Sequence, residues 1–220
     1  MRYAIGEILL VVIGILLALQ INTWKKETQN RKLEKTYLEN LKEDLIIQQE
    51  IIDVQTEYEL NRSAEADTAL RFLNGGISVS ELTRLLDSLS ARHTFVANNV
   101  TFDNLGKTGN VIHIRNAEIL NALIRYDKLL DYTTMVVNNN NIVLIDGQFG
   151  KFVNDNSLGI SLNNKGEVGI NNGLSGEKRY LLFHHHLNRR KNLSEGLIEI
   201  VNLLSVDTQV LIENIDAYLK

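Results

Sequence analysis

Three consecutive histidines at residues 184–186 are the side chains best suited to metal chemistry in this sequence. Neighbouring side chains on a helix diverge by about 100°, so these imidazoles cannot share one ion without ligands from elsewhere in the fold. His93, His113 or a carboxylate could supply such ligands. A metal-dependent hydrolase built on this cluster is one hypothesis, and a solvated or interfacial cluster is the simpler interpretation.

The sequence GKT at residues 106–108 is the second pattern that could do chemistry. A phosphate-binding loop needs a glycine five residues before Gly106, and Thr101 stands there instead. The pattern is therefore typical of a turn at the end of a helix. The basic run at residues 189–191 has no aromatic residues among it, so no nucleic-acid partner is predicted.

The composition limits the remaining function classes. The chain has 220 residues, a net charge of −4, no cysteine and no proline. This length suits one domain, and the lack of cysteine excludes disulfides and thiolate sites. The lack of proline permits long, unbroken helices, so we predict an all-α fold. Spacing picks out no catalytic dyad or triad, and we predict no enzyme, no cofactor and no metal site.

An apolar run fills residues 4–24, AIGEILLVVIGILLALQINTW. As a helix it would rise about 31 Å, close to the thickness of a bilayer core of about 30 Å. Arg2 is the only charged side chain ahead of this run, and no small-residue cleavage site follows it. We therefore predict an uncleaved transmembrane helix over residues 1–24. A buried core helix is the alternative, although residues 8–19 have no polar face. The predicted interfacial anchor comprises Trp24, Lys25 and Lys26.

One side of this helix could pack against another helix. The predicted packing face comprises Glu7, Val11, Gly14, Ala18 and Ile21. Gly14 and Ala18 form a small-xxx-small pair, which lets two helices approach closely. Glu7 lies about one turn inside the run, where its carboxylate can reach the headgroups and the positive end of the helix dipole. We expect self-association or contact with another membrane protein; a lone span with a snorkelling acid is the alternative.

Two stretches of the sequence resemble one protein family. Residues 3–24, YAIGEILLVVIGILLALQINTW, resemble the opening of a group of bacterial envelope proteins of Bacteroidota, known only as a domain of unknown function. Residues 101–126, TFDNLGKTGNVIHIRNAEILNALIRY, are similar to that family's pattern of an aromatic, a Leu, a Gly, a short apolar strip and a helix ending in Tyr. The resemblance implies a single-pass helical membrane protein and brings no catalytic residues with it.

The orientation in the bacterial inner membrane stays open. Relatives commonly carry a basic segment before the span, and this resemblance implies that the rest of the chain lies in the periplasm. Here Arg2 alone precedes the span, and the positive-inside rule applied to the basic residues after it favours the cytoplasm. Those residues are Lys25, Lys26, Arg31, Lys32 and Lys35.

Residues 25–220 carry apolar side chains at helical spacing, which predicts an elongated antiparallel helical bundle. Ser78 and Glu81 form a capping box that opens the second helix, and four asparagines at 138–141 weaken the middle of the third. The predicted elements are a long helix 25–74, a helix 79–92, irregular chain 95–115, a helix 116–153, a loop or small hairpin at the tip 157–176, and a long helix 177–219.

These features favour a membrane-anchored helical scaffold or adaptor that acts by protein–protein contacts in the bacterial envelope. The lipid bilayer and a second membrane protein, or a second copy of the chain, are its expected partners. The alternative is a sensory or small-ligand-binding module, because helical bundles joined to a span can bind small molecules between their helices.

Overall fold

The computed structural model describes residues 2–157, 160–162, 168–170 and 176–220, and nearly all of these are helical. The predicted all-α class is therefore confirmed. The described elements are α1 (Arg2–Leu70), a 3-10 turn (Arg71–Asn74), α2 (Val79–Ser90), α3 (Val100–Thr108), a 3-10 turn (Asn110–His113), α4 (Ala117–Asn140), a π-helical segment (Asn141–Gly150), α5 (Lys151–Ser157), β1 (Ile160–Leu162), β2 (Val168–Ile170) and α6 (Gly176–Leu219).

The helix α1 runs for 69 residues without a break, and no proline removes one of its main-chain donors. It tightens into a 3-10 turn, after which Gly75 adopts a φ of 73° that disfavours any side chain. The N–H groups of Gly75 and Gly76 donate to the carbonyls of Phe72 and Arg71. The helix predicted to continue to residue 74 therefore ends at Leu70.

Residues 2–24 of the span predicted at 1–24 form the beginning of α1, and the same helix continues into the bundle. Every side chain of residues 10–29 is exposed. Within the part of the chain that the structure describes, no helix combines the length and the apolar character needed to cross a membrane.

The helix α6 lies antiparallel to α1. Near one end of the pair Lys42 Nζ lies 2.5 Å from an Asp216 carboxylate oxygen, and near the other Lys191 Nζ lies 2.9 Å from an Asp67 carboxylate oxygen. Aliphatic side chains fill the interface between the two helices. They include Leu38, Leu41, Leu45 and Ile52 of α1 and Leu197, Val201, Leu204, Leu211 and Ile215 of α6.

The helix α4 packs against α6, where the hydroxyl oxygens of Tyr126 and Thr208 lie 2.9 Å apart. Residues 91–99 and α3 bridge α1 and α4 and add Phe95 and Leu105 to the same core. Three long helices thus enclose one core with the help of a nonhelical segment.

The prediction of irregular chain over 95–115 was wrong for residues 100–108, which form α3. The Thr101 N–H donates to an Asp44 oxygen at 2.7 Å. Asp44 lies on α1, so a carboxylate distant in sequence accepts a hydrogen bond from a free N–H group in the first turn of this short helix. Gly109, with a φ of 72°, ends it. The sequence around α3 gives no information about this contact with α1, so α3 could not be predicted from its local pattern.

The asparagine run at 138–141 does not break the third helix. Asn138 Nδ2 donates to the Phe95 carbonyl at 2.9 Å, and Asn141 Nδ2 donates to the His93 carbonyl at 2.8 Å. These side chains bind another segment instead of competing for their own helix's main chain. The helix widens to π geometry over Asn141–Gly150 and continues as α5 to Ser157, beyond the predicted end at 153.

A second core closes the end of the bundle near α2 and α5. It comprises Ala66, Ala69, Leu82, Leu85, Leu86, Leu89, Phe149, Phe152, Val153, Phe183 and Leu187. In the segment predicted as a loop or small hairpin, β1 and β2 pair antiparallel, with Ile160 opposite Ile170. The other residues of 158–175 lie outside the described part of the chain.

Candidate functional site

The segment 91–99, which we call the linker, joins α2 to α3 without helical structure. Its burial alternates: Phe95 is buried between the exposed residues Thr94 and Val96, as expected for a pleated, extended backbone. The Phe95 N–H donates to Asn138 Oδ1 at 3.1 Å, and the Phe95 carbonyl accepts from Asn138 Nδ2. The carboxamide of Asn138 thus pairs with one edge of the linker as a neighbouring strand would.

The linker runs antiparallel to α1 and is tied to it at both ends. Near its start the Tyr58 hydroxyl donates to the Ala91 carbonyl at 2.7 Å. Near its end the Asn98 N–H donates to Gln48 Oε1 at 2.6 Å, and Asn98 Nδ2 donates to the Asp44 carbonyl at 3.0 Å. These bonds hold the linker in place beside α1.

Between the two ties, α1 and the linker enclose an open groove of about 490 Å³. We call it the α1–linker groove. The α1 wall carries Ile47, Ile51 and Val54, and Glu50 also borders the space. The opposite wall is formed by the linker, including Thr94, Val96 and Ala97. The groove is an apolar trough with a carboxylate on its α1 side.

A chain of hydrogen bonds leads from this groove into the core. His93 Nδ1 lies 2.8 Å from Gln55 Oε1. Gln55 Nε2 donates to Glu59 Oε1 at 3.1 Å, and the Ser194 hydroxyl donates to Glu59 Oε2 at 2.7 Å. Gln55, Glu59 and Ser194 are fully buried, so the groove is connected to a polar layer that solvent does not reach.

Arg190 supplies the positive charge of this polar layer. Its Nη1 donates to the Ser194 hydroxyl at 2.6 Å and lies 3.5 Å from Glu59 Oε2, and its Nε donates to the Leu89 carbonyl. Both charged side chains are 1% exposed. Burial lowers the pKa of the Arg190 guanidinium, and the Glu59 carboxylate opposes that change. Breaking such a buried pair typically costs about 3–5 kcal/mol because the remaining charge is left unpaired.

Tyr58 lies between the groove and a second, partly buried cation, Arg62. Its ring centroid is 5.3 Å from that of His93, and the Arg62 guanidinium carbon is 4.9 Å from the centre of the Tyr58 ring. Burial raises the pKa of the Tyr58 phenol, while the nearby Arg190 and Arg62 charges oppose the rise. The neutral phenol is therefore maintained as the donor to the linker.

The groove and its surroundings present groups that can make noncovalent contacts. Ser194 is buried and bonded on both sides, so its hydroxyl is not presented to a substrate. Among the described residues, no group of three or more histidine, aspartate or glutamate side chains could hold a metal ion. The groove offers an apolar wall, a carboxylate and main-chain groups to a molecule that binds there.

The predicted packing face lies on α1, away from the groove. Val11, Gly14, Ala18 and Ile21 are exposed, and nothing lies within 4 Å of the Cβ position that a side chain at Gly14 would occupy. Glu7 belongs to α1, but its side chain lies outside the part of the chain that the structure describes. The structure brings none of the four described residues against another segment.

The predicted interfacial anchor is also on the exposed part of α1. Trp24, Lys25 and Lys26 are all exposed, with 73% of the Trp24 surface accessible. The helix continues through them without a kink-forming proline. They therefore mark the passage from the apolar run to the charged part of the helix.

The three histidines point in different directions. The His186 ring stacks on Phe152 with centroids 4.3 Å apart, whereas His184 stacks near Tyr180 at 5.9 Å. Burial lowers the pKa of His186, and the charges of His185 and Arg189 lower it further. The rings of His185 and His186 lie 5.4 Å apart, edge to face, whereas His184 stacks on a different ring from His186.

The GKT sequence forms the last turn of α3. Lys107 Nζ donates to an Asp103 oxygen at 3.2 Å, and Gly109 follows in the left-handed region. These residues occupy the helix end that the turn interpretation expected.

The groove and the polar layer were missed by sequence reasoning. A signal was present, because Gln48, Gln55 and Glu59 follow one another at seven and four residues within the buried stripe of α1. Polar residues at such positions indicate a specific buried network. The linker ties from Asn138 and Asn141 had no comparable signal, since the partner segment lies more than 40 positions away.

The chain can be placed in a family on the strength of its sequence. Residues 7–175 match the family of unknown function DUF6090. This match covers most of the chain, and the protein belongs to that family. Neither a curated protein nor a solved structure matches the chain. The family contributes a classification and no assigned activity.

Proposed function

We propose that this protein is a single-pass, membrane-anchored helical scaffold that acts through protein–protein contacts in a bacterial envelope. The single observation that supports the anchor is the exposure of the apolar start of α1. Its large apolar side chains from Leu10 to Trp24 are between 45% and 73% exposed. A helix that is apolar all round is expected to lie in a large core or in lipid.

The rest of α1 supports the scaffold part of the proposal. The helix passes directly from the apolar run into the bundle, so an anchor and a folded body would be joined without a flexible hinge. The exposed Gly14 and Ala18 offer a close-packing face for a second helix. The α1–linker groove offers another contact surface at the level of the bundle.

The anchor is tested by fractionating bacterial cells that express the full chain. We expect the protein to sediment with membranes, to stay there in alkaline carbonate and to be released by detergent. Recovery of the protein in the carbonate supernatant would contradict the anchor. Cross-linking in native membranes then tests the scaffold role, and recovery of the monomer alone would contradict it.

The absence of cysteine allows the orientation to be measured with one introduced thiol. We propose the periplasmic orientation, following the family resemblance. Lys220 directly follows α6, and a membrane-impermeant maleimide should label Lys220→Cys in cells freed of their outer membrane. Protection of the thiol until the inner membrane is lysed would instead place the bundle in the cytoplasm.

A small-ligand-binding module is the second candidate. The observation that favours it is the groove of about 490 Å³, which lies within the usual size range of small-molecule sites. A metabolite library should then raise the melting temperature of the detergent-purified chain, and Val54→Lys should abolish that rise. Retention of the rise in Val54→Lys would place the ligand elsewhere.

A further inference from the structure

We infer that the α1–linker groove binds an extended segment of a partner protein, which adds as a β-strand alongside Thr94 and Val96. The inference rests on the proposed scaffold function, because it specifies the surface and the kind of partner. Three properties of the groove carry it: free main-chain groups, an apolar wall of suitable spacing and unopposed negative charge.

The main-chain groups of Thr94 and Val96 are the first property. In an extended backbone, successive residues direct their N–H and C=O groups to opposite edges. Phe95 directs both of its groups to Asn138 on the α4 side, whereas the Asn98 N–H is directed to Gln48 on the α1 side. Thr94 and Val96 therefore direct theirs toward α1. Neither residue makes a main-chain hydrogen bond to any part of the chain that the structure describes.

An unpaired strand edge of this kind is a template for another strand, and most proteins protect such edges with charges or proline. Residues 94–97 read TFVA and contain neither. The linker is also held at both ends by Tyr58 and Asn98. Its ordering is therefore complete before a partner arrives, which lowers the entropic cost of binding.

The apolar wall is the second property. Ile47 and Val54 are 48% and 53% exposed and lie on one side of α1 with Ile51 between them. Ile47 and Ile51 are separated by about 6 Å along the helix axis. Alternate side chains of a strand are separated by about 6.6 Å. A strand in the groove can therefore place successive apolar side chains against this wall.

The charge of the α1 wall is the third property. Glu50 borders the groove, and Glu43 and Glu57 lie seven residues to either side, two helical turns away on the same face. All three are exposed, and none forms an ion pair with a described residue. By contrast, Arg92 of the linker is already paired with Asp146. The fitting partner is an extended segment of alternating apolar residues flanked by lysine or arginine.

Fluorescence anisotropy with the full chain in detergent micelles tests this inference. The probe is a fluorescein-labelled peptide, KVTVTVTK, and it is compared with EVTVTVTE and with KVTVTVTK methylated on alternate main-chain nitrogens. We expect saturable binding of the first peptide and affinity weaker by about tenfold or more for each of the other two. Equal binding of the methylated peptide would overturn strand addition, and no binding of KVTVTVTK would overturn the inference as a whole.

Protein variants locate the binding. Val54→Lys should abolish binding by filling and charging the groove. Val206→Lys, at a position of α6 that is 60% exposed, should leave the affinity unchanged. Equal affinity of both variants would overturn the inference. The peptide comparisons do not depend on the folding of a variant. Membrane sedimentation of the same wild-type protein separates the outcomes, because failed peptide binding with intact sedimentation rejects the groove and leaves the anchor standing.

Discussion

The two halves of α1 have the same secondary structure and opposite surroundings. Residues 10–29 contain no buried side chain, although they include most of the helix's apolar run. Residues 34–69 are richer in charge and yet bury a continuous stripe. The difference is the presence of α6, which packs on the second half. Apolar character alone therefore does not determine burial; a facing element must be supplied by the chain or by its environment.

The buried stripe differs along its own length as well. Toward α3 it is mostly aliphatic, with Leu38, Leu41, Leu45 and Ile52, although Gln48 is buried among them. Toward α2 it includes Gln55, which donates to Glu59, and Glu59 itself, whose further partners are Arg190 and Ser194. The apolar part stabilises the bundle without strong directionality. The polar part permits one alignment of α1 with α6, because a shift would leave charges unpaired.

The largest expected effect comes from substitutions in the exposed first half of α1. Leu16→Asp combined with Leu17→Asp should move the protein from the membrane pellet to the supernatant. Two acids at the centre of a span oppose insertion by about 5 to 7 kcal/mol. The matched control is Leu203→Asp with Val206→Asp, at exposed positions of α6, and it should stay in the pellet. Unchanged sedimentation of the first variant would contradict the idea that the first half of α1 lies in lipid.

The next effect concerns the polar part of the buried half. Arg190→Ala should lower the free energy of unfolding by about 3–5 kcal/mol, because Glu59 is left buried without its counter-ion. Denaturant unfolding of the detergent-purified chain measures the change. Arg189→Ala, at the exposed neighbouring position, is the control and should change stability by less than about 0.5 kcal/mol. A similar small effect at Arg190 would show that the pair is not needed.

A pair of adjacent leucines sharpens the contrast between buried and exposed apolar residues. Leu204 is fully buried and Leu203 is 63% exposed. Leu204→Ala should cost about 2–5 kcal/mol of unfolding free energy because it leaves a cavity, whereas Leu203→Ala should stay within about 0.5 kcal/mol. Leu16→Ala should resemble Leu203→Ala when bundle unfolding is followed. A large loss for Leu16→Ala would mean that the two halves of α1 unfold together.

The smallest effect is a pH dependence of the bundle. Burial raises the pKa of Tyr126 to about 12 from 10.0, although its hydrogen bond with Thr208 acts in the opposite direction. The folded state therefore retains a proton that the unfolded state loses between these values, so this contribution is fully present below pH 10 and is lost as the pH rises through 12.

The denaturation midpoint measured against pH checks this expectation. Tyr126→Phe should flatten the alkaline fall and lower stability at neutral pH by about 1 kcal/mol through loss of the hydrogen bond. Tyr132→Phe, at an exposed position of the same helix, is the control. An alkaline profile that is identical in wild type and Tyr126→Phe would assign the fall to other groups.

Local sequence patterns were sufficient to predict features that depend on neighbouring residues alone, such as helix caps and long helices. The Ser78 N-cap of the predicted capping box was confirmed, since the Glu81 N–H donates to the Ser78 hydroxyl. The long helices follow from apolar spacing and the absence of proline. The helix α3 and the contacts that hold the linker were missed, because Asp44 and Asn138 make these contacts from distant positions. The groove could not be predicted, because it exists only where the linker meets α1.

The packing face predicted at Val11, Gly14, Ala18 and Ile21 remains a prediction, because its expected partner is a second helix. The interfacial role of Trp24 likewise depends on a bilayer. Sequence reasoning could place these residues on one helix, and the structure adds that they are exposed. Their function depends on molecules outside the chain.

The unbroken course of α1 has a mechanical consequence. Leu10 and Val54 belong to one rod and are separated by about 66 Å along its axis. A tilt of about 10° at one end displaces the other by about 11 Å over that length. A force applied near Leu10 is thus delivered to the wall of the groove as leverage, and a load on that wall exerts torque at the far end of the rod.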